Sequence, residues 1–124
     1  MKKKVLVVED EKTLSEAIRC KLEKRDIVTF GAVSVPQALE ILNKETIDAI
    51  WLDHYLLGKE NGLDFVAKIK LDEKWKNIPI FLVSNTATLD KVSSYLALGV
   101  NKYFTKADFK LEQIISDIIN FVEV

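Results

Sequence analysis

The sequence has few of the residues that build disulfide frameworks or zinc centres. Its 124 residues include one cysteine, Cys20, and one histidine, His54. An internal disulfide is therefore excluded, and a zinc site made of cysteine and histidine ligands is excluded with it. A single cysteine suits a reducing compartment.

Long apolar runs and an excess of charge of one sign are also missing. No stretch approaches the roughly 18 apolar residues of a membrane-spanning helix, and the run behind the N-terminal lysines is too short for a signal peptide. With 18 basic and 19 acidic residues, the formal net charge is −1, which argues against nucleic acid as a direct partner. We therefore expect a cytoplasmic protein that binds neither a membrane nor nucleic acid directly.

Short apolar runs alternate with helical patterns along the chain. The predicted strands are 4–8, 27–32, 47–52, 80–83 and 100–105. A helical pattern follows each of them, and the last three patterns cover about 63–74, 89–98 and 108–122. Parallel strands need right-handed crossovers, so this order predicts an α/β fold with helices on both faces of one sheet. No linker or repeat appears, and residues 1–124 are expected to form one domain.

Polar residues stand where the predicted strands end. Glu9 and Asp10 follow the first strand, Asp53 the third, Ser84 the fourth, and Lys106 the fifth. In a parallel sheet these ends share one edge, which is where open α/β sheets bind ligands. The sequence therefore predicts three carboxylates, a hydroxyl and an ammonium in one crevice.

This set of groups favours phosphoryl chemistry. Three close carboxylates repel one another unless a cation neutralises them, and Mg²⁺ prefers such oxygen ligands together with phosphate oxygens; Mn²⁺ is a second candidate. Lys106 can hold a phosphoryl oxygen and Ser84 offers a hydroxyl donor. Aspartate is a known phosphoryl acceptor through an acyl phosphate, with catalysis mainly by positioning and charge neutralisation.

The chain resembles the receiver domain of two-component response regulators. The matching segments are VLVVEDE at 5–11, WLD at 51–53 with Leu56 and Gly62 after it, IPIFLVS at 78–84, and GVNKYFTK at 99–106. The resemblance covers the whole chain. It implies a flavodoxin-like (βα)5 three-layer sandwich with a parallel sheet in the order 2-1-3-4-5.

The resemblance also implies an acceptor and its metal site. Asp53 matches the phosphoacceptor. Asp10 and Asp53 match direct Mg²⁺ ligands, Glu9 acts nearby and often through water, and the backbone carbonyl of Tyr55 completes the protein ligands. The donor would be a phosphohistidine on a sensor histidine kinase or a phosphotransfer protein.

The implied switch uses three further residues. Ser84 matches the hydroxyl that moves to bond the phosphoryl group, Lys106 the lysine that pairs with it, and Tyr103 the aromatic residue that turns inward. The output face would be the fourth helix, fifth strand and fifth helix, binding a downstream protein or a second copy. We interpret Tyr95 on the fourth helix as a partly buried side chain, which is either an anchor for such a partner or an incidental surface residue. Such a protein is not a turnover enzyme, although it can lose its own phosphoryl group.

Four positions depart from the family pattern. Leu57 stands where proline is frequent, and its loop is one residue longer than usual. Ala107, directly after Lys106, also stands where proline is frequent. Asn85 replaces a small residue, and Tyr55 is bulky. Because Asn85 and Tyr55 would line the entrance, we expect a long-lived acyl phosphate.

Other interpretations stay open at this point. A receiver-like module could bind partners without phosphorylation, although the intact set of site residues argues against it. An aspartyl-phosphate hydrolase would want a second aspartate where Tyr55 stands, and a flavin protein would need a phosphate-binding loop where Glu9 and Asp10 carry negative charge. We interpret His54 as a structural or surface residue, since strand alternation directs it away from the face of Asp53.

Overall fold

Strands and helices alternate strictly along the chain. The structure is a computed structural model that describes residues 2–85 and 89–123; Met1, 86–88 and Val124, which the predicted domain includes, lie outside the described residues. The strands are β1 (Lys4–Val8), β2 (Val28–Ala32), β3 (Ala49–Leu52), β4 (Ile80–Val83) and β5 (Lys102–Phe104). The helices are α1 (Lys12–Glu23), α2 (Val35–Lys44), α3 (Gly62–Leu71), α4 (Leu89–Ala97) and α5 (Leu111–Glu123). Within the described ranges, no helix combines the length and apolar character that crossing a membrane requires.

The strands form one parallel sheet in the order β2-β1-β3-β4-β5, which confirms the predicted fold. Val8 pairs with Leu52, and Leu52 pairs with Leu82. The amide of Asp53 donates to the carbonyl of Val8 at 3.0 Å. The carboxyl ends of β1, β3 and β4 therefore lie side by side.

Two apolar layers cover the two faces of the sheet. Successive side chains of a strand point to opposite faces, so Leu6 and Val8 pack into one cluster while Val5 and Val7 pack into the other. Side chains of α2, α3 and α4 complete the first cluster, and those of α1 and α5 complete the second. Burial on both faces explains why the central strands are unbroken apolar runs.

Side-chain caps fix where two of the helices begin. Ser34 precedes α2, and its Oγ accepts a hydrogen bond from the amide three residues later at 3.4 Å. Asn61 and Asp64 cap the start of α3 reciprocally, each side chain accepting from the other's amide at 3.0 and 2.9 Å. Such caps satisfy amides that have no partner within the helix. The capping box places Gly62, the first residue of α3, beside the end of β3.

Two helix boundaries differ by three residues from the sequence-based prediction. Helix α3 ends at Leu71, three residues early, because the carboxylate of Asp72 accepts from the amide of Lys74 at 2.8 Å. Such local bonds compete with the helical backbone. Helix α5 begins at Leu111 instead of 108, since the amide of Asp108 first closes a turn onto the carbonyl of Thr105 at 3.0 Å.

Tyr95 is fully buried, with an exposed fraction of 0 %. The expectation of a partly exposed anchor at this position was therefore wrong. Its ring belongs to the same apolar cluster as Leu52 and Phe65. Gly62 provides the room, because a Cβ built there would lie 2.6 Å from Tyr95 Oη. Leu96, half exposed at 51 %, is instead an apolar side chain that α4 presents to solvent.

We expect Gly62→Ala to destabilise the fold by about 1–3 kcal/mol through overpacking, although alanine favours helices. The new Cβ would also lie 2.7 Å from the backbone oxygen of Asp53, which cannot rotate away. Urea unfolding measures the loss. In a Tyr95→Phe background the same change is expected to cost less, because the hydroxyl is gone; full additivity of the two substitutions would contradict this packing.

Candidate functional site

Acidic, hydroxyl and ammonium groups meet at the carboxyl edge of the sheet. Glu9, Asp53 and Ser84 directly follow β1, β3 and β4, and their exposed fractions are 1 %, 6 % and 1 %. Lys106 follows β5, and its Nζ lies 2.8 Å from Glu9 Oε1 and 3.5 Å from Asp53 Oδ2. Because β4 separates β5 from β3, only a long side chain can span this distance. The structure thus brings together the residues that the sequence placed at this edge.

The carboxylates of Glu9, Asp10 and Asp53 form a potential metal-binding cluster. One oxygen from each lies within 4.8 Å of the others. Asp10 is exposed while the other two are buried, so the cluster opens to solvent on one side. Three carboxylates against the ammonium of Lys106 leave an excess of negative charge. An oxygen-liganded divalent cation fits this set of donors.

Burial and neighbouring charge shift the ionisation of the Glu9–Lys106 pair. Burial, helped by the charge of Asp53 and opposed by the hydrogen bond from Lys106, raises the pKa of the Glu9 carboxyl to about 7. For Lys106, burial acts to lower the pKa, but the hydrogen bond to Glu9 and the charge of Asp53 outweigh it, so the pKa is raised. The ammonium of Lys106 is therefore held in its charged form beside Asp53.

Tyr103 contacts the backbone of residue 84. Its hydroxyl donates to the carbonyl oxygen of Ser84 at 3.0 Å, and the hydroxyl of Thr105 donates to Tyr103 Oη at 3.3 Å. The ring is half-buried and packs against the apolar cluster under α4. A rotation of Tyr103 would therefore change its contacts both with the backbone after β4 and with this apolar cluster.

Asn85 and Ala107 join the loops that follow β4 and β5. Asn85 Oδ1 accepts a hydrogen bond from the amide of Ala107 at 2.7 Å. A proline at position 107 has no amide hydrogen to donate, so the two departures from the family pattern support each other. No cis peptide bond occurs among the described residues, and the Lys106–Ala107 bond is trans. This contact holds the backbone next to Lys106.

Tyr55, two residues after Asp53, contacts α4. Its side chain is about half exposed at 48 %. Lys91 Nζ lies 5.4 Å from the centre of the Tyr55 ring and 3.4 Å from its hydroxyl. The loop after β3 is thereby linked to the first half of α4.

His54 has contacts that the sequence did not reveal. Its amide donates to Asp53 Oδ1 at 2.8 Å, and its ring Nδ1 lies 2.5 Å from Tyr95 Oη. The ring is buried, with an exposed fraction of 3 %, which fits the interpretation of a structural histidine. Burial is the main cause that lowers the pKa of His54 and raises that of Tyr95, so both are neutral at neutral pH. The sequence shows that His54 adjoins Asp53, but it does not reveal that the partner of His54 is Tyr95, 41 residues away.

Known proteins resemble this chain in sequence. A family model described as the response regulator receiver domain matches residues 5–119. The chain is 29 % identical to Chemotaxis protein CheY1 of Helicobacter pylori (strain J99) over 106 residues, covering 83 % of this chain and 84 % of CheY1. It is also 29 % identical over 103 residues to the Alginate biosynthesis transcriptional regulatory protein AlgB of Pseudomonas aeruginosa, covering 83 % of this chain but only 22 % of AlgB. The chain thus spans about a fifth of the length of AlgB.

Solved structures agree with the observed fold. The crystal structure of a response regulator receiver protein from Pseudomonas putida matches with a TM-score of 0.89, covering 97 % of this chain and 98 % of that chain. At 24 % identity this likeness concerns the fold alone. The family model, which covers nearly the whole chain, supplies the assignment. The chain belongs to the family of response regulator receiver domains of two-component signalling systems.

Proposed function

We propose that Asp53 accepts a phosphoryl group from a phosphohistidine of a sensor histidine kinase or a phosphotransfer protein. The observation that carries the proposal is the position of Lys106, whose ammonium lies between the buried carboxylates of Glu9 and Asp53 at 2.8 and 3.5 Å. An ammonium that already contacts the acceptor carboxylate can also contact a phosphoryl oxygen bonded to it. No such arrangement is needed for a module that only binds partners.

The transfer exchanges one bond to phosphorus for another. The bond between phosphorus and the imidazole nitrogen of the donor breaks, and a bond to a carboxylate oxygen of Asp53 forms. The donor imidazole keeps the electron pair and takes up a proton. Lys106 offsets the negative charge that the phosphoryl oxygens bring next to Glu9, so the chain contributes positioning and charge compensation.

The carboxylates of Glu9, Asp10 and Asp53 would hold Mg²⁺, or Mn²⁺ in its place, together with the backbone carbonyl of Tyr55. The cluster of acidic oxygens and its excess of negative charge fit such an ion. When bound, the ion neutralises carboxylate and phosphoryl charge. Asp10, which is exposed, leaves the cluster accessible from solvent.

Phosphorylation would then bias the face formed by α4, β5 and α5. Ser84 would turn its hydroxyl toward the phosphoryl group, and Tyr103, which contacts the carbonyl of Ser84, would move with it. A new charge at one edge thereby changes the packing under α4. The face would bind a downstream protein or a second copy, without direct contact to nucleic acid or membrane. Hydrolysis of the acyl phosphate on the chain would reset it.

Incubation with acetyl phosphate and Mg²⁺, followed by intact mass, tests this function. We expect the mass to rise by one phosphoryl group, and the gain to disappear in Asp53→Ala and on chelation of Mg²⁺. A wild-type chain that gains no phosphoryl group would support a phosphorylation-independent interaction module instead. A gain that persists in Asp53→Ala would place the acceptor elsewhere.

The lifetime of the acyl phosphate is expected to depend on Tyr55 and Asn85, which the sequence predicts to line the entrance of the site. Tyr55→Ala and Asn85→Ala should each speed loss of the phosphoryl group severalfold, because they open the site to water. The decay of the phosphorylated mass after donor removal measures this. Leu57→Ala, which trims an exposed side chain of the same loop, is the control; unchanged decay in both site variants would contradict the expectation.

A further inference from the structure

His54 and Tyr95 form a buried polar contact that phosphoryl transfer itself does not use. His54 Nδ1 lies 2.5 Å from Tyr95 Oη, and the exposed fractions are 3 % and 0 %. Their rings meet edge to face with centres 5.7 Å apart. A hydrogen bond in such a buried place is costly to break, because the freed groups cannot turn to water.

The contact ends next to the acceptor carboxylate. The same residue that binds Tyr95 through its ring donates its amide to Asp53 Oδ1 at 2.8 Å. A shift of His54 that moves its backbone would therefore also move the amide that binds the Asp53 carboxylate. One residue thus connects α4 with the acceptor.

A second contact joins the loop after β3 to α4, one helical turn before Tyr95. Lys91 and Tyr95 are four residues apart on α4 and so lie on one face of the helix. Lys91 contacts the ring and hydroxyl of Tyr55, while Tyr95 contacts His54. Two successive residues after Asp53 are therefore joined to two successive turns of α4.

Gly62 limits movement from the other side. A Cβ there would approach Tyr95 Oη to 2.6 Å, the backbone oxygen of Asp53 to 2.7 Å and the Cα of His54 to 3.1 Å. Helix α3 is thus packed directly against the pair. Because the hydroxyl of Tyr95 sits in closely packed surroundings, it has little freedom to exchange its partner without a shift of α4.

We propose that the His54–Tyr95 hydrogen bond couples the placement of α4 to binding at Asp53, with both residues positioning the acceptor carboxylate. The inference rests on the proposed function of Asp53. Coupling between two sites is reciprocal. If the position of α4 affects the Asp53 carboxylate through this pair, then binding at the carboxylate also affects the position of α4. Removing the bond should therefore weaken binding of a phosphoryl-like group.

The test uses beryllofluoride, a non-covalent phosphoryl mimic, with saturating Mg²⁺. Dissociation constants are measured by calorimetry for wild type, Tyr95→Phe, His54→Phe and the double variant. Ser93→Ala, an exposed position of α4, is the control. His54 is the only histidine, so both histidine ring nitrogen signals in ¹⁵N NMR belong to it, and the Nδ1 signal reports on the bond to Tyr95.

We expect Tyr95→Phe and His54→Phe each to weaken beryllofluoride binding by about fivefold or more, and the double variant to be no weaker than either. Binding of Mg²⁺ alone should weaken much less, because Glu9 and Asp10 also hold the ion, whereas a general loss of structure would weaken both kinds of binding alike. In wild type, beryllofluoride should shift the Nδ1 signal beyond the shift caused by Mg²⁺.

Two results would overturn the inference. One is that Tyr95→Phe binds beryllofluoride within about twofold of the wild-type affinity, although its Nδ1 signal shows that the hydrogen bond is lost. The other is an Nδ1 signal in wild type that does not respond to beryllofluoride despite binding. Failure of wild type to bind beryllofluoride at all would instead overturn the proposed function, and this inference with it.

Discussion

Lys106→Met is expected to slow phosphoryl transfer to Asp53 by about 100-fold or more, the usual cost of losing one preorganised donor of charge stabilisation. Methionine keeps the length of the side chain and removes the ammonium that lies 3.5 Å from Asp53 Oδ2. The rate of mass gain with acetyl phosphate at saturating Mg²⁺ measures the loss.

The same substitution is expected to strengthen Mg²⁺ binding. Lys106 is the ammonium in contact with Glu9 and Asp53, and its removal leaves more negative charge around the cluster. A slower transfer together with a higher Mg²⁺ affinity would indicate loss of a catalytic charge, because misfolding would lower both the rate and the affinity. Lys102→Met is the matched control, because this exposed lysine of β5 pairs with Asp117 on α5. A Lys106→Met variant that transfers at the wild-type rate would contradict the role of the ammonium.

Asp10→Asn is expected to weaken Mg²⁺ binding by on the order of tenfold or more, since the affinity of oxygen-ligand sites follows the number of charged ligands. The asparagine keeps the shape of the side chain and an oxygen donor. Because the transfer depends on the ion, the variant should recover part of its rate when Mg²⁺ is raised. Titration calorimetry and the rate at several Mg²⁺ concentrations measure both effects.

Glu16→Gln serves as the control for Asp10→Asn. It removes one negative charge from an exposed position of α1 and leaves the site untouched. A long-range charge effect would lower Mg²⁺ affinity in both variants, and more so at low salt. Equal loss in the two variants would contradict a ligand role for Asp10.

The pattern of apolar residues predicted most of the strands and helices, because neighbouring residues in the sequence largely determine these elements. The run at 80–83 is apolar at every position, as burial on both faces requires, and it forms β4. The resemblance predicted the strand order, and the sheet confirms it. The end of α3 was not predicted, since the side chain of Asp72 competes with the helix in a way that periodicity does not show.

The position of the site followed from the parallel sheet, because residues after neighbouring strands must share an edge. Glu9, Asp53 and Lys106 meet there; their roles in phosphoryl transfer stay predictions. The burial of Tyr95 could not be predicted from the spacing of α4, because it depends on the missing side chain of Gly62 in another helix. Likewise, the contact of Asn85 with Ala107 joins two loops that only the folded sheet brings together.

The most direct test of the central claim is borohydride reduction of the phosphorylated chain, followed by peptide mass spectrometry. Borohydride converts an aspartyl phosphate to homoserine and does not reduce a phosphorylated hydroxyl or imidazole in this way. We predict homoserine at position 53 only, in amounts that follow the gain of phosphoryl mass and vanish without Mg²⁺. A phosphorylated chain whose residue 53 stays aspartate, with reduction at Asp10 or with phosphate on Ser84 or His54, would contradict the account.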